Sequence, residues 1–279
     1  MRNAAKITTA VLAAGALTLG LSACGSDKES ASSSSDYSGP LVVAASPVPH
    51  AEILNFIKTN LAKKAGLDLE VKEFQDYIVP NTATEDGSVD ANYFQNQPYL
   101  DDFNEKRGTH IVPVVTVHLE PLGLYSHKIK SADALKSGAT VAVPNDAVNE
   151  ARALKLLASK GLITLKDGVG SEATPQDISK NPKNLKFKEV EAAQTPRSLD
   201  DVDAAVINGN YAISSGLKPA ADALVLESAT SNPYGNFLAV KKGNEGDPRV
   251  KKLAKLLTSP EVKKFIEDKY AGSVIPSFK

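Results

Sequence analysis

Three periodicities follow one another within about 35 residues near the start of the chain, and they restrict the fold more than any other feature. Leu41-Val42-Val43-Ala44-Ala45 is a short apolar run suited to a buried strand. After Pro47 and Pro49, apolar residues recur at Ile53, Leu54, Ile57 and Leu61, the stripe of a helix that stops at Gly66. Leu67, Leu69 and Val71 then alternate with Asp68, Glu70 and Lys72, the period of a half-exposed strand. A β-α-β unit of this length builds parallel sheet with helices packed on its faces, so the predicted class is α/β.

The pattern returns further along. Ala139 to Val143 reads as a buried strand, and Pro144-Asn145-Asp146 as a turn and cap. A helix carrying Val148, Ala151, Leu154 and Leu157 then runs to Gly161. Ala204 to Ile207 is a further strand, with a helix starting near Asn208; Leu224–Leu226 and Phe237–Val240 are strand candidates. Two helical stripes close the chain, one with Val250, Leu253 and Leu257, the other with Val262, Phe265 and Ile266. No repeat with a period of twenty to fifty residues is found. Two α/β units suggest two lobes, assigned to residues 41–120 with 234–279, and to 121–233. Open α/β sheets bind ligands beyond the carboxyl ends of their strands, so the loops that follow strands matter most.

Residues 1–23 read as an address. Arg2 and Lys6 precede an uncharged run from Ile7 to Leu21, which ends in small residues at Leu21-Ser22-Ala23-Cys24. These are the parts of a secretory signal peptide. The apolar run is about 15 residues, short of the roughly 20 needed to span a bilayer as a helix. Leu-Ser-Ala-Cys resembles the lipobox of bacterial lipoproteins, whose cysteine is lipidated and becomes the new N-terminus. Cys24 is the sole cysteine, so it has no disulfide partner in the chain. Residues 24–40 are Ser-rich and polar, a composition that buries nothing and predicts a disordered tether. The expected location is extracytoplasmic, on the outer face of the cell membrane.

Charge excludes some partners. With 32 basic and 33 acidic residues, nucleic-acid binding has no electrostatic support. Arginines are scarce: beyond Arg2 they are Arg107, Arg152, Arg197 and Arg249. Arginine holds carboxylates in a fixed two-pronged geometry, which lysine does not. Arg107 lies at a helix end before Gly108, Arg197 precedes Asp200 and Asp201, and Arg249 follows Pro248 in a charged segment; each has a structural explanation. Arg152 fits either a solvated helix face or a ligand clamp.

A metal-binding transport protein is the main rival, but His50, His110, His118 and His127 form no close ligand-pair motif, and only His118 has a nearby carboxylate, Glu120. No metal or other cofactor is expected. A surface enzyme would need a nucleophile elbow, a His-Glu-x-x-His helix or a phosphate loop, and the sequence contains none. A surface adhesin is also compatible with an anchor.

Several strand-to-loop junctions carry side chains that suit a free amino acid. They lie at Phe74–Asn81, Asp90–Tyr99, Val143–Arg152, Ala205–Ala212 and Asn232–Asn236. Aromatic faces sandwich an apolar side chain or a thioether. Amides offer donors and acceptors to a zwitterion, and a guanidinium pairs with its carboxylate. Each has a plain alternative: Tyr77 and Phe94 as core aromatics, Asn145 as a helix cap, Asn208 and Asn236 as turn residues.

These segments resemble the NlpA/MetQ family of methionine-binding lipoproteins. The resemblance runs in order through Asp76–Asn81, Asp90–Tyr99, His118–Pro121, Val141–Asp146, Leu165–Gly170, Asn181–Leu185, Pro196–Asp201 and Ala205–Asn208. It implies a two-lobed type II periplasmic-binding fold that holds its ligand in a cleft between lobes and serves an ABC importer's permease and ATPase. Carried over by position, Tyr77 and Phe94 contact the methionine side chain, Arg152 holds the carboxylate, and Asn145, Asn149, Asn208 and Asn236 supply polar contacts. Asn96 stands where many relatives have histidine, which leaves L-methionine, D-methionine and methionine dipeptides open. Glu120 either accepts from the ligand ammonium or makes a structural salt bridge. Closure by a hinge near Glu120 and Tyr234 is expected.

Overall fold

The structure, a computed structural model, describes residues 37–170 and 172–278. The segments expected as signal peptide, lipidated Cys24 and nearly all of the tether lie outside the described residues. No helix among the described residues is long and apolar enough to cross a membrane.

The chain enters through β1 (Leu41–Ala45), α1 (Glu52–Ile57), β2 (Leu69–Glu73), α2 (Val79–Asp86), β3 (Ala91–Asn96), α3 (Gln97–Arg107) and β4 (Ile111–Leu119). It then crosses to β5 (Gly123–Tyr125), β6 (Thr140–Pro144), α4 (Ala147–Ser159), β7 (Thr164–Leu165), β8 (Ile178–Lys180), β9 (Lys186–Val190), β10 (Ala204–Ile207), α5 (Gly209–Ser214), α6 (Pro219–Asp222) and β11 (Val225–Leu226). A second crossing returns it to β12 (Gly235–Lys241), α7 (Pro248–Leu257), α8 (Pro260–Tyr270) and β13 (Ile275–Pro276).

The two main sheets share a plan. In the first, ordered β13-β4-β12-β3-β1-β2, β1 lies parallel between β2 and β3, and β12 runs antiparallel to β3. In the second, ordered β11-β5-β10-β6-β9, β6 lies parallel between β9 and β10, and β5 runs antiparallel to β10. The antiparallel member arrives in each case from a crossing: β5 directly after the first, β12 directly after the second. The likeness between the halves is one of topology, which no short sequence period reveals.

Each half has its own apolar core. Leu41, Val43, Ile53, Leu54 and Ile57 pack with Leu253, Leu257, Val262 and Ile266, so β1, α1, α7 and α8 close over one face. Val141, Val143, Leu154 and Leu157 pack with Leu124 and Val206 in the other. Leu154 is fully buried, and truncating such a leucine to alanine costs about 2–5 kcal/mol. The cap of α4 differs from expectation: Asp146, not Asn145, accepts from the Asn149 backbone N–H at 2.9 Å.

Two strands are hard to see in the sequence for physical reasons. β3 reads Ala-Asn-Tyr-Phe-Gln-Asn and is buried along its whole length. Its amides satisfy one another instead of facing water. Asn92 Nδ2 donates to Thr84 Oγ1 at 2.8 Å, and Gln95 Nε2 donates to Asn81 Oδ1 at 2.7 Å. β4 carries Pro113, opposite Ala239 of β12 beside a register shift, where a missing N–H is tolerated.

Candidate functional site

Junction residues from both halves meet around one cavity. Every residue proposed from sequence for the ligand lines it except Asn145. Asn145 is exposed on the turn before α4. Displacing it is Asp146, whose side chain caps the helix and leaves Asn145 facing outward. Tyr99, Gln95, Gly209 and Asn210 also line the cavity, and sequence reading did not single them out.

The first half supplies the aromatic wall. Tyr77 precedes α2, Phe94 lies within β3, and their ring centroids are 5.9 Å apart. Tyr99 stands edge-on to Tyr77 at 5.7 Å, and Tyr211 of α5 lies 5.0 Å from Tyr77 on the other side. The Tyr77 hydroxyl donates to Asn210 Oδ1 at 2.5 Å, and Tyr211 returns a bond to the Gln75 carbonyl at 2.9 Å. These contacts draw the two halves together over the cavity. Asn96 lines the cavity and caps α3, accepting from the Tyr99 backbone N–H at 3.2 Å.

The second half supplies the cation and most of the amides. Arg152, one helical stretch inside α4, is only 4% exposed. Its two-pronged face is occupied: Nε donates to Glu227 Oε1 at 2.9 Å and Nη2 to Glu227 Oε2 at 2.5 Å. Nη2 also reaches the Glu120 carbonyl at 3.0 Å, and the guanidinium lies 4.0 Å over the Tyr234 ring. Burial pushes the Glu227 carboxyl up, but the Arg152 hydrogen bonds and charge outweigh it and hold the group below its ordinary value. A carboxylate brought to Arg152 therefore meets a cation already oriented from behind, with no described hydrogen bond to Nη1. Glu227 stands at the second crossing and was invisible as a partner in sequence. Beside it, Asn208 Nδ2 donates to Asn149 Oδ1 at 2.9 Å, and Asn149 is held in turn by Asp146 at 3.0 Å.

Glu120 and Asn236 sit at the two crossings. Glu120 Oε1 lies 2.8 Å from His118 Nε2 and 3.2 Å from His50 Nε2, and both imidazoles are buried. His50 Nε2 also lies 2.9 Å from Asn236 Oδ1. His118 Nδ1 meets the Tyr93 hydroxyl. Burial lowers both imidazoles, His50 to about 4 and His118 to about 3, so both are neutral near pH 7. Burial raises the Glu120 carboxyl above its ordinary value, opposed by His50, Arg152 and the Asn210 backbone N–H. Since Glu227 pairs with Arg152, Glu120 is the carboxyl at the cavity wall whose histidine neighbours carry no charge.

His50, His118 and Glu120 place one ligand atom each within 4.8 Å, a grouping that sequence spacing does not show. Both Nε2 atoms face oxygens, that of Glu120 for His118 and those of Glu120 and Asn236 for His50, an arrangement in which a proton on each nitrogen satisfies the acceptors. The other arginines lie elsewhere. Arg107 covers the Phe103 ring at 5.0 Å next to the left-handed Gly108 that ends α3, and Arg249 pairs with Asp247 at 2.7 Å and Asp90 at 2.9 Å. Arg197 opens a short 3-10 turn, Arg197–Asp200.

Comparison with known proteins agrees with this architecture. The family model described as NlpA lipoprotein matches residues 41–278. The methionine-binding lipoprotein MetQ of Bacillus subtilis is 43% identical over 260 residues, covering 92% of this chain and 93% of that protein. The D-methionine-binding lipoprotein MetQ of Escherichia coli K12 is 45% identical over 214 residues, covering 76% of this chain and 79% of that one. A nutrient-binding protein from Burkholderia cenocepacia, solved bound to methionine, superposes with a TM-score of 0.83 at 47% identity, covering 85% of this chain and all of that one. With its two-sheet plan, its cavity at the crossings and a match spanning nearly all described residues, the chain belongs to the NlpA lipoprotein family.

Proposed function

We propose that the protein captures methionine, or a closely related amino acid or methionine-containing dipeptide, in this cavity and delivers it to an ABC importer. The supporting observation is the enclosure of a buried guanidinium, an ionisable carboxylate and an aromatic wall within one cavity. The aromatic wall of Tyr77, Phe94 and Tyr99 suits a thioether side chain. Arg152 takes the ligand carboxylate, Glu120 the ammonium, and Asn149, Asn208, Asn236 and Asn96 supply donors and acceptors around them.

Binding is the whole activity in this reading, and no bond is made or broken. Loss of ligand contacts frees the Tyr77–Asn210 and Tyr211–Gln75 bonds to part, so opening is a rotation about the crossings near Glu120 and Tyr234. The lobes that move are residues 41–120 with 234–279, and 121–233. The closed form then docks on the permease, whose ATPase drives uptake. Cys24 carries the lipid that keeps the protein on the outer face of the membrane. The test is mass spectrometry of small molecules released on denaturing freshly purified protein, followed by titration with L-methionine, D-methionine and a methionine dipeptide. Methionine in the released fraction and sub-millimolar binding are expected; binding of none of the three ends the reading.

A further inference from the structure

His50 joins the two crossings of the chain through one imidazole nitrogen. It stands in the junction after β1, 1% exposed, and its Nε2 faces Glu120 Oε1 at 3.2 Å and Asn236 Oδ1 at 2.9 Å. Glu120 directly follows β4 at the first crossing, Asn236 is the second residue of β12 after the second, and both line the cavity.

The proton positions follow from the partners. Asn236 Nδ2 donates to the Tyr234 carbonyl at 3.3 Å, which fixes the amide with Oδ1 towards His50. A carboxylate and an amide oxygen both accept, so His50 Nε2 carries the proton. By the same argument His118 Nε2–H donates to Glu120 at 2.8 Å, and His118 Nδ1 accepts from the Tyr93 hydroxyl. The result is a directed chain: Tyr93 O–H to His118, His118 N–H to Glu120, and His50 N–H shared between Glu120 and Asn236. On its far side, Glu120 is packed by Gly209, where a Cβ would lie 2.7 Å from the Glu120 Cβ. The carboxylate is thus held from several directions, and among the described residues no cationic side chain is in hydrogen-bonding contact with it.

We infer that His50 is a positioning residue for the ammonium group of the bound amino acid: by gripping Glu120 and Asn236 together, it fixes the anionic end of the cavity. The inference rests on the amino-acid reading of the cavity given above. His50 touches the ligand nowhere in this account; it acts through Glu120 and Asn236. Without its N–H, Oε1 keeps only His118, the carboxylate is free to turn from the cavity, and Asn236 loses the partner that sets its amide.

The test is isothermal titration of wild type, His50→Ala and His50→Gln with L-methionine and with 4-(methylthio)butanoate, the same molecule without its ammonium. The second ligand is read by its competition with the first. Expected are a loss of about 30-fold for methionine in His50→Ala, a change within about threefold for the deaminated acid, and partial recovery in His50→Gln, which keeps an N–H donor. Equal losses for both ligands indicate a general packing defect and overturn the inference, as does unchanged methionine affinity. Wild type that binds methionine no better than the deaminated acid removes the role given to Glu120, and the inference with it. Wild type that binds neither ends the amino-acid reading itself. Should His50→Ala not fold, nitrogen NMR of the histidine rings in wild type decides: a protonated Nε2 on His50 that shifts on adding methionine is expected, and an unprotonated Nε2 overturns the chain.

Discussion

Arg152 and Glu227 form a two-pronged pair at 2.9 and 2.5 Å that joins α4 to the second crossing, and both groups are largely removed from solvent. Removing one partner of a desolvated, hydrogen-bonded charge pair costs about 2–5 kcal/mol. Arg152→Ala is therefore expected to weaken methionine binding by an amount in that range and to lower the urea midpoint, because Glu227 is left without its cation. Titration and urea unfolding of the same variant separate the two effects. Unchanged affinity removes Arg152 from the ligand.

Gly209 begins α5 against Glu120, with space for no side chain. A Cβ there would lie 2.7 Å from the Glu120 Cβ and 3.1 Å from its Oε2. Gly209→Ala is expected to cost about 1–3 kcal/mol through forced displacement, and to shift the Glu120 carboxylate. Urea unfolding and methionine titration should both register it. A variant with wild-type stability and affinity would show that the crossing yields easily.

Asn96 and Asn145 should behave oppositely. Asn96→Ala removes the side chain that caps α3 and is expected to cost about 1 kcal/mol in urea unfolding. Asn145 is exposed and lines no part of the cavity, so Asn145→Ala should leave methionine affinity and stability within error. A large binding loss in the second variant would mean that the loaded protein turns Asn145 inward.

Acid should weaken the protein by two routes. Burial raises the Glu120 carboxyl, so it gains a proton at higher pH than an ordinary glutamate. An ammonium needs the ionised form, and affinity should fall with pH sooner than in a protein with an exposed carboxylate. For stability, His50 and His118 are lowered from 6.5 to about 4 and about 3. The unfolded chain takes up these protons below about 6.5 while the folded one refuses them, so stability present above that pH is lost as pH falls. The slope is about 1.4 kcal/mol per pH unit for each histidine. Urea unfolding at pH 7 and pH 5 measures it, and a flat profile would contradict buried neutral imidazoles.

Local periodicity made much of the fold legible. β1 at Leu41–Ala45 and β10 at Ala204–Ile207 match their expected bounds, because short apolar runs between polar turns have few other uses. The wall of the cavity was legible too, since loops after parallel strands converge. Long-range partnerships were not. Glu227 gives no sign in sequence that it belongs to Arg152, and His50 none that it belongs to His118, because each pair is far apart along the chain and meets only when its own half folds. His50 did carry one signal: it stands in a strand-to-loop junction, the same position that singled out the other site residues. β3 escaped notice because its buried amides satisfy each other, which breaks the alternation that marks a strand.

Arg249 ties the entry of the chain to α7. Its Nη1 holds the Pro40 carbonyl at 2.9 Å, its Nη2 reaches Asp90, and its guanidinium lies 5.6 Å from the Tyr37 ring. β1 and β3 run parallel, with Val43 beside Ala91 and Ala45 beside Tyr93, so Leu41 starts at the sheet edge away from Phe94 and Asn96. The chain from Tyr37 to Leu41 thus enters at a braced corner of the first sheet. Neither Glu120 nor Tyr234 takes part in these contacts, so the corner that holds the entry of the chain is built apart from the two crossings.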